Sequence, residues 1–264
     1  MKIKKILVIL ILIDLVLISF GIKYKYAYKE LKDNNTLTYR DAILEEDAFY
    51  KYVQDNYSLI KFYANTFQIE ENTLITLLKE DQNFSIDYDN IDKNILDFLL
   101  RLEKSNKELF DNTITPCIDS KEYIIALINY WVKLYPNVDF TTAASIGYIE
   151  SGYRAKHLLR KNNIFGGKNS KGIICYKNIE YGTLKYIRLL STSYYGKGLD
   201  TVEKIGVKYN PIFDSNGKKQ ANPDWVRDVN ITLKKYRKYE TTVDINTLIN
   251  LKNNGEYIAN DYLF

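Results

Sequence analysis

The chain has 264 residues, 46% hydrophobic and 27% charged, proportions that suit one large globular domain or two small ones. One histidine (His157) and two cysteines (Cys117, Cys175) leave no histidine- or cysteine-rich metal site, and without a Gly-x-Ser-x-Gly turn a Ser-His-Asp triad has no support. The net charge of +4 hides an asymmetry: residues 26–140 carry 12 Lys and Arg against 21 Asp and Glu, whereas residues 141–240 carry 19 against 8. The basic half suits either an anionic polymer or the acidic half of its own chain.

In chain order, Lys2, Lys4 and Lys5 precede Ile6–Phe20, where 13 of 15 residues are apolar. Extended to Ile22, the run spans about 25 Å as a helix, the short edge of a membrane span. Lys23 and Lys25 can snorkel to complete it. The pattern predicts an anchor over residues 1–25, single-pass at the cell membrane, with the rest of the chain on the outer side. A cleaved signal ending near Ser19-Phe20-Gly21 is the alternative. Asp14, in mid-span, points either to a membrane-protein partner or to a tilt toward the headgroups.

Residues 26–118 read as a polar stalk followed by a helical region. One helix is expected from Asp41 to about Phe67, with apolar residues at Ile43, Leu44, Phe49, Val53, Ile60 and Tyr63. Further helices are expected over Glu70–Glu80 and Asn90–Phe110. Residues 119–240 form the next unit. Asp119-Ser120-x-Glu122 reads as a capping box opening Tyr123–Leu134, which Pro136 closes. Thr141 and Thr142 start a short apolar helix ended by Gly152. Ile173-Ile174-Cys175-Tyr176 is expected to be a strand, half of a small hairpin. Asn178 caps a helix to Tyr195, and Asp200-x-x-Glu203 is a second capping box. Asn222-Pro223 is an N-cap with proline at the first helical position, opening a helix to about Tyr239. Residues 241–264 are a C-terminal helix and tail. The fold class is mainly α, with one small β element.

Glu150 ends the apolar helix just before Gly152. Apolar turns behind it favour its neutral form and so raise its pKa. A carboxylic acid held protonated near neutral pH is what cleavage of a glycosidic bond requires. The structural alternative is a helix-end carboxylate bridged to Arg154. His157 reads as a surface or packing residue. Trp225, beside Val226 and Val229, reads as core, with a place in a sugar groove as the alternative. Cys117 and Cys175 can pair outside the cell.

Six blocks occur in order: Ile149-Glu150-Ser151-Gly152-Tyr153, Asn162-Asn163-Ile164-Phe165-Gly166-Gly167, Tyr176-Lys177-Asn178-Ile179-Glu180-Tyr181-Gly182, Tyr194-Tyr195-Gly196-Lys197-Gly198-Leu199, Ile205-Gly206-x-x-Tyr209 and Ala221-Asn222-Pro223-x-Trp225. Together they resemble the glucosaminidase domain of bacterial peptidoglycan hydrolases, the family-73 glycoside hydrolases with a lysozyme-like fold, in a membrane-anchored subgroup. The resemblance covers about a third of the chain. It implies Glu150 as general acid and Tyr209 across the cleft, orienting the substrate acetamide or stabilising charge. It offers Glu180 as a second carboxylate, although an acid there is also stabilised by its helix N-terminus. It puts Tyr153, Asn163, Phe165, Tyr176, Asn222 and Trp225 along the substrate groove. The partner implied is the peptidoglycan strand, with no nucleic acid, metal or cofactor. A muramidase or lytic transglycosylase on the same fold, and a wall-binding module without turnover, are the other functions open at this point.

Overall fold

A computed structural model of the chain describes residues 36–81, 84–211, 213, 217 and 223–258, with side chains from Glu46 onward. The expected anchor over 1–25, Asp14 and Asn222 lie outside these residues. Among those described, no helix is long and apolar enough to cross a membrane. The chain divides into two compact units, Met1–Asn56 and Tyr57–Phe264.

The first unit is described as one helix, α1 (Thr36–Asp55). Asn56 ends it: its backbone N–H and its side-chain amide both donate to the Tyr52 carbonyl, at 3.1 and 2.9 Å. A side chain competing for the helical acceptor stops propagation. The single helix expected from Asp41 to Phe67 is therefore two.

The second unit starts with α2 (Tyr57–Phe67), α3 (Glu71–Glu80) and α4 (Ile91–Ser105), then a 3₁₀ turn at Lys107–Leu109. Next come α5 (Lys121–Leu134), α6 (Phe140–Ser151), the short α7 (Lys156–Leu159) and the hairpin β1 (Lys168–Asn169) with β2 (Gly172–Ile173). After them follow α8 (Ile179–Ser193), a 3₁₀ turn at Tyr195–Lys197, α9 (Val202–Tyr209), α10 (Trp225–Arg237) and α11 (Ile245–Asn253). The described residues are thus mainly helical, with one two-stranded antiparallel sheet.

α5 is the central element. Every residue from Tyr123 to Trp131 is buried, and the helix packs on α6, α8 and α11. α6 and α10 lie along each other as the most extensive helix pair. The helices α2 to α4 belong to the same compact unit as those after residue 119. α2 touches α8 and α11, and the 118/119 boundary is bridged by Ile258 N–H to the Cys117 carbonyl at 2.9 Å. Buried polar groups fasten this seam. Asn178 donates to the carbonyls of Asn65 and Thr66, at 3.1 and 3.0 Å. The Lys177 ammonium donates to the Phe67 carbonyl among the rings of Phe67, Phe110 and Tyr181. Burial pulls that ammonium down to about 8, against the opposing charge of Glu103.

Helix starts follow local chemistry, with small shifts from expectation. Ser120, not Asp119, caps α5, and Thr201, not Asp200, caps α9. Asp139 caps α6, which starts at Phe140. Asn178 caps α8, as its position predicts. α10 opens at Trp225 with Asp224 in the cap position and no side-chain cap bond. The strand is Gly172–Ile173, not Ile173–Tyr176. Beyond Ile173 the backbone turns to other partners: Ile174 N–H bonds the Gly167 carbonyl, and Tyr176 N–H bonds the Lys161 carbonyl. Cys117 is buried, Cys175 exposed, and both are free thiols.

Candidate active site

The site grows from the C-terminal end of α6. Phe140 to Gly147 are buried, and the helix ends on Gly152, whose φ of +58° is a left-handed cap. Tyr153 follows at φ +59°, a conformation that strains a residue with a Cβ by ~1–2 kcal/mol. The turn is held by Ser151, whose hydroxyl donates to the Gly147 carbonyl at 2.9 Å and accepts from Tyr153 N–H at 3.0 Å. The Tyr153 hydroxyl donates to the Ala144 carbonyl. Glu150 therefore sits on a rigid helix end, half-buried.

Its carboxyl meets no cation within ion-pair distance among the described residues. The bridge to Arg154 that helix position alone allowed is absent, and Arg154 is exposed. Instead, Trp225 donates its indole N–H to Glu150 Oε1 at 3.0 Å. The other oxygen lies against Gly166, where a Cβ would stand 2.8 Å from Oε2. Burial raises the Glu150 pKa above the usual carboxylate value, and the Trp225 bond and the Lys168 charge only partly offset it. No other carboxylate among the described residues contributes to that shift.

Four further contacts close a circuit around this group. Trp225 is buried and stacks on Tyr209, with centroids 5.4 Å apart and planes at 24°. Gly206 lets α9 approach the first turn of α10, since a Cβ there would stand 2.6 Å from Val226 and 3.3 Å from the Trp225 ring. The Tyr209 hydroxyl donates to the Phe165 carbonyl at 2.6 Å. Phe165 stacks on Tyr186 at 3.5 Å, and its neighbour Gly166 returns the path to Glu150. Burial, and then the Glu150 charge, hold the Tyr209 phenol well above its ordinary range, so it keeps its proton.

The other residues expected here divide by role. Asn163 gives both amide hydrogens to carbonyls, those of Gly167 and Ile174, each at 2.8 Å, and accepts from Gly167 N–H at 3.1 Å. It has no donor left for a sugar and instead pins the hairpin beside Glu150. Tyr153 and Phe165 are buried packing residues. Tyr176 is half-buried, with its hydroxyl 3.7 Å from where a Gly167 Cβ would stand.

Glu180 is not brought to Glu150. It is buried at the start of α8, where it accepts from the Tyr123 hydroxyl at 2.6 Å and from Lys252 at 2.7 Å. It lines a separate cavity of about 450 Å³ with Asn65, Gln68, Thr115, Lys252 and Tyr257. Its placement matches that of a structural ion pair. Sequence reasoning missed the Trp225 bond and the approach of Gly166. The Gly166-Gly167 pair was the available signal for the second, and no local signal marked the first.

The arrangement fixes the direction of a carboxyl whose neutral form burial favours, near a tyrosine whose hydroxyl proton goes to the Phe165 carbonyl. No protein-family model matches the chain, and no curated protein matches it.

Proposed function

We propose that the chain is an endo-β-N-acetylglucosaminidase, hydrolysing the bond between N-acetylglucosamine and N-acetylmuramic acid in peptidoglycan. It would be held at the outer side of the cell membrane by residues 1–25. The observation that carries the reading is Glu150: a carboxyl with no cation partner among the described residues, raised in pKa by burial and aimed by an indole N–H. The ordered blocks of the sequence supply the substrate class and the lysozyme-like arrangement. Water is the second substrate, and no cofactor is needed.

Glu150 donates its proton to the glycosidic oxygen as the C1–O bond breaks. A retaining mechanism with an enzyme nucleophile needs a second carboxyl about 5–5.5 Å away, close enough to raise the acid further. Glu180, the second carboxylate expected, is engaged instead by Tyr123 and Lys252. The substrate's own 2-acetamido group then fills the role: its carbonyl oxygen attacks C1 and forms a bicyclic oxazolinium. Tyr209 suits this route. Its only hydroxyl proton goes to Phe165, so toward the substrate the oxygen is an acceptor, fitted to the acetamide N–H. Water opens the oxazolinium at C1 and gives its proton back to Glu150.

The test is the set of fragments released from purified peptidoglycan by the full chain. Reducing N-acetylglucosamine ends are expected. Reducing muramic ends, or anhydromuramic ends, would assign a muramidase or lytic transglycosylase instead.

A further inference from the structure

Tyr148 lies two residues before Glu150, about 200° around α6, so it serves a different face of the same helix. Its ring centroid is 5.6 Å from that of Tyr236 on α10, and Tyr239 continues the row 5.8 Å beyond Tyr236. Three lysines lie over these rings. Lys235 stands 3.8 Å from the Tyr148 centroid, and Lys238 stands 5.1 Å from that of Tyr239. Lys121 stands 5.7 Å from Tyr236 and 5.8 Å from Tyr239. Arg154 also acts on the Tyr148 hydroxyl.

These four cations are not neutralised within the fold. None of Lys121, Arg154, Lys235 and Lys238 forms an ion pair among the described residues, nor do Asp119, Glu122 and Glu240, the acids closest to the lysines in sequence. Elsewhere the basic half does pair: Lys177, Lys185, Lys204 and Arg227 all have carboxylate partners. The local field is strong enough to act on the protein itself. Lys235 over its ring, with Lys121 and Arg154 behind, lowers the Tyr148 phenol from its ordinary value.

We propose that Lys235, Lys121 and Lys238, ranged over Tyr148, the buried Tyr236 and Tyr239, form a docking surface for a linear phosphodiester polymer of the cell wall, whose phosphates sit on the three ammonium groups. The choice of a wall polymer rests on the wall-hydrolase reading, while the anion-binding chemistry does not. Lys235 covers the Tyr148 ring at 3.8 Å and Tyr236 is buried, so the row is no stacking platform for sugars. Lys235, Lys121 and Lys238 follow the order of the rings they overlie, which suits a linear anion. Membrane insertion is poorly served, because Ile231 is the one exposed large aliphatic side chain of α10. Docking here would hold the hydrolase on the wall beside α6 and α10, the helices that carry Glu150 and Trp225.

The experiment measures binding of the full chain to polyglycerol phosphate over a range of salt. The triple variant Lys121→Gln/Lys235→Gln/Lys238→Gln is compared with Lys104→Gln/Lys107→Gln/Lys197→Gln, which removes equal charge elsewhere. The first triple is expected to bind about tenfold more weakly, with a shallower salt dependence, and the second to bind as the unaltered chain does. Hydrolysis of phosphate-free peptidoglycan should be the same in all three. Equal weakening in both triples would overturn the proposal, as would absence of polymer binding or stronger binding to anionic phospholipid vesicles. If polymer binding behaves as expected while no peptidoglycan is cut, the docking surface stands and the hydrolase reading fails.

Discussion

Trp225 donates its indole N–H to Glu150 Oε1 at 3.0 Å, joining residues 75 apart in sequence. The bond aims the carboxyl and opposes the effect of burial on its pKa. Tyr209, stacked on the same indole and bonded to Phe165, braces the donor from behind.

Trp225→Phe keeps a ring against Tyr209 but removes the donor. With that stabilisation of the anion gone, the Glu150 pKa rises further. The alkaline limb of the pH–rate profile should therefore move to higher pH while turnover falls. Folding stability should drop by about 1 kcal/mol, a typical value for one lost hydrogen bond. Rate profiles and urea titrations check both, and an unmoved alkaline limb would contradict the assigned role.

Gly166→Ala tests the other oxygen. The position has φ +69°, and the added Cβ would stand 2.8 Å from Glu150 Oε2. The backbone cost is about 1–2 kcal/mol. The carboxyl must also shift, so activity should fall well beyond what the fraction unfolded explains. Circular dichroism alongside turnover separates the two effects.

Much of the local structure was legible because its causes are local. Asn178 as a cap and Gly152 as a stop each act within one turn of the chain. What was not legible depends on distant partners. Glu180 stands as a candidate second catalytic carboxylate until Tyr123 and Lys252, 57 and 72 residues away, claim it. Asn163 reads as a sugar ligand until its amide is seen satisfied by Gly167 and Ile174. The long helix through Asn56 has the right apolar spacing, and one side-chain amide ends it.

Glu180→Gln should act on stability rather than chemistry. It leaves Lys252 without its carboxylate on a seam between α8 and α11. Complete burial of such a pair would cost 3–5 kcal/mol on removal of one partner, and the partial exposure of Lys252 reduces this to about 2 kcal/mol. Turnover per folded molecule should hold. Thermal melts and active-site-normalised rates check this, and a selective loss of turnover would restore Glu180 to the mechanism.

Glu150→Gln should make the protein more stable at neutral pH. A carboxyl whose folded pKa is raised binds more protons in the native state than in the unfolded one. Stability is therefore lost as pH rises from the unfolded value, about 4.3, through the raised folded value. Glutamine does not titrate, so its melting temperature should exceed that of the unaltered chain at pH 7 and match it at pH 4. Melts at both values check the sign.

The most direct measurement is turnover of purified peptidoglycan by the full chain and by Glu150→Gln under identical conditions. Loss of the general acid should lower the rate by about 10²–10⁴-fold while the protein stays folded. A Glu150→Gln variant that releases fragments at the unaltered rate would contradict the assignment of Glu150 as the proton donor.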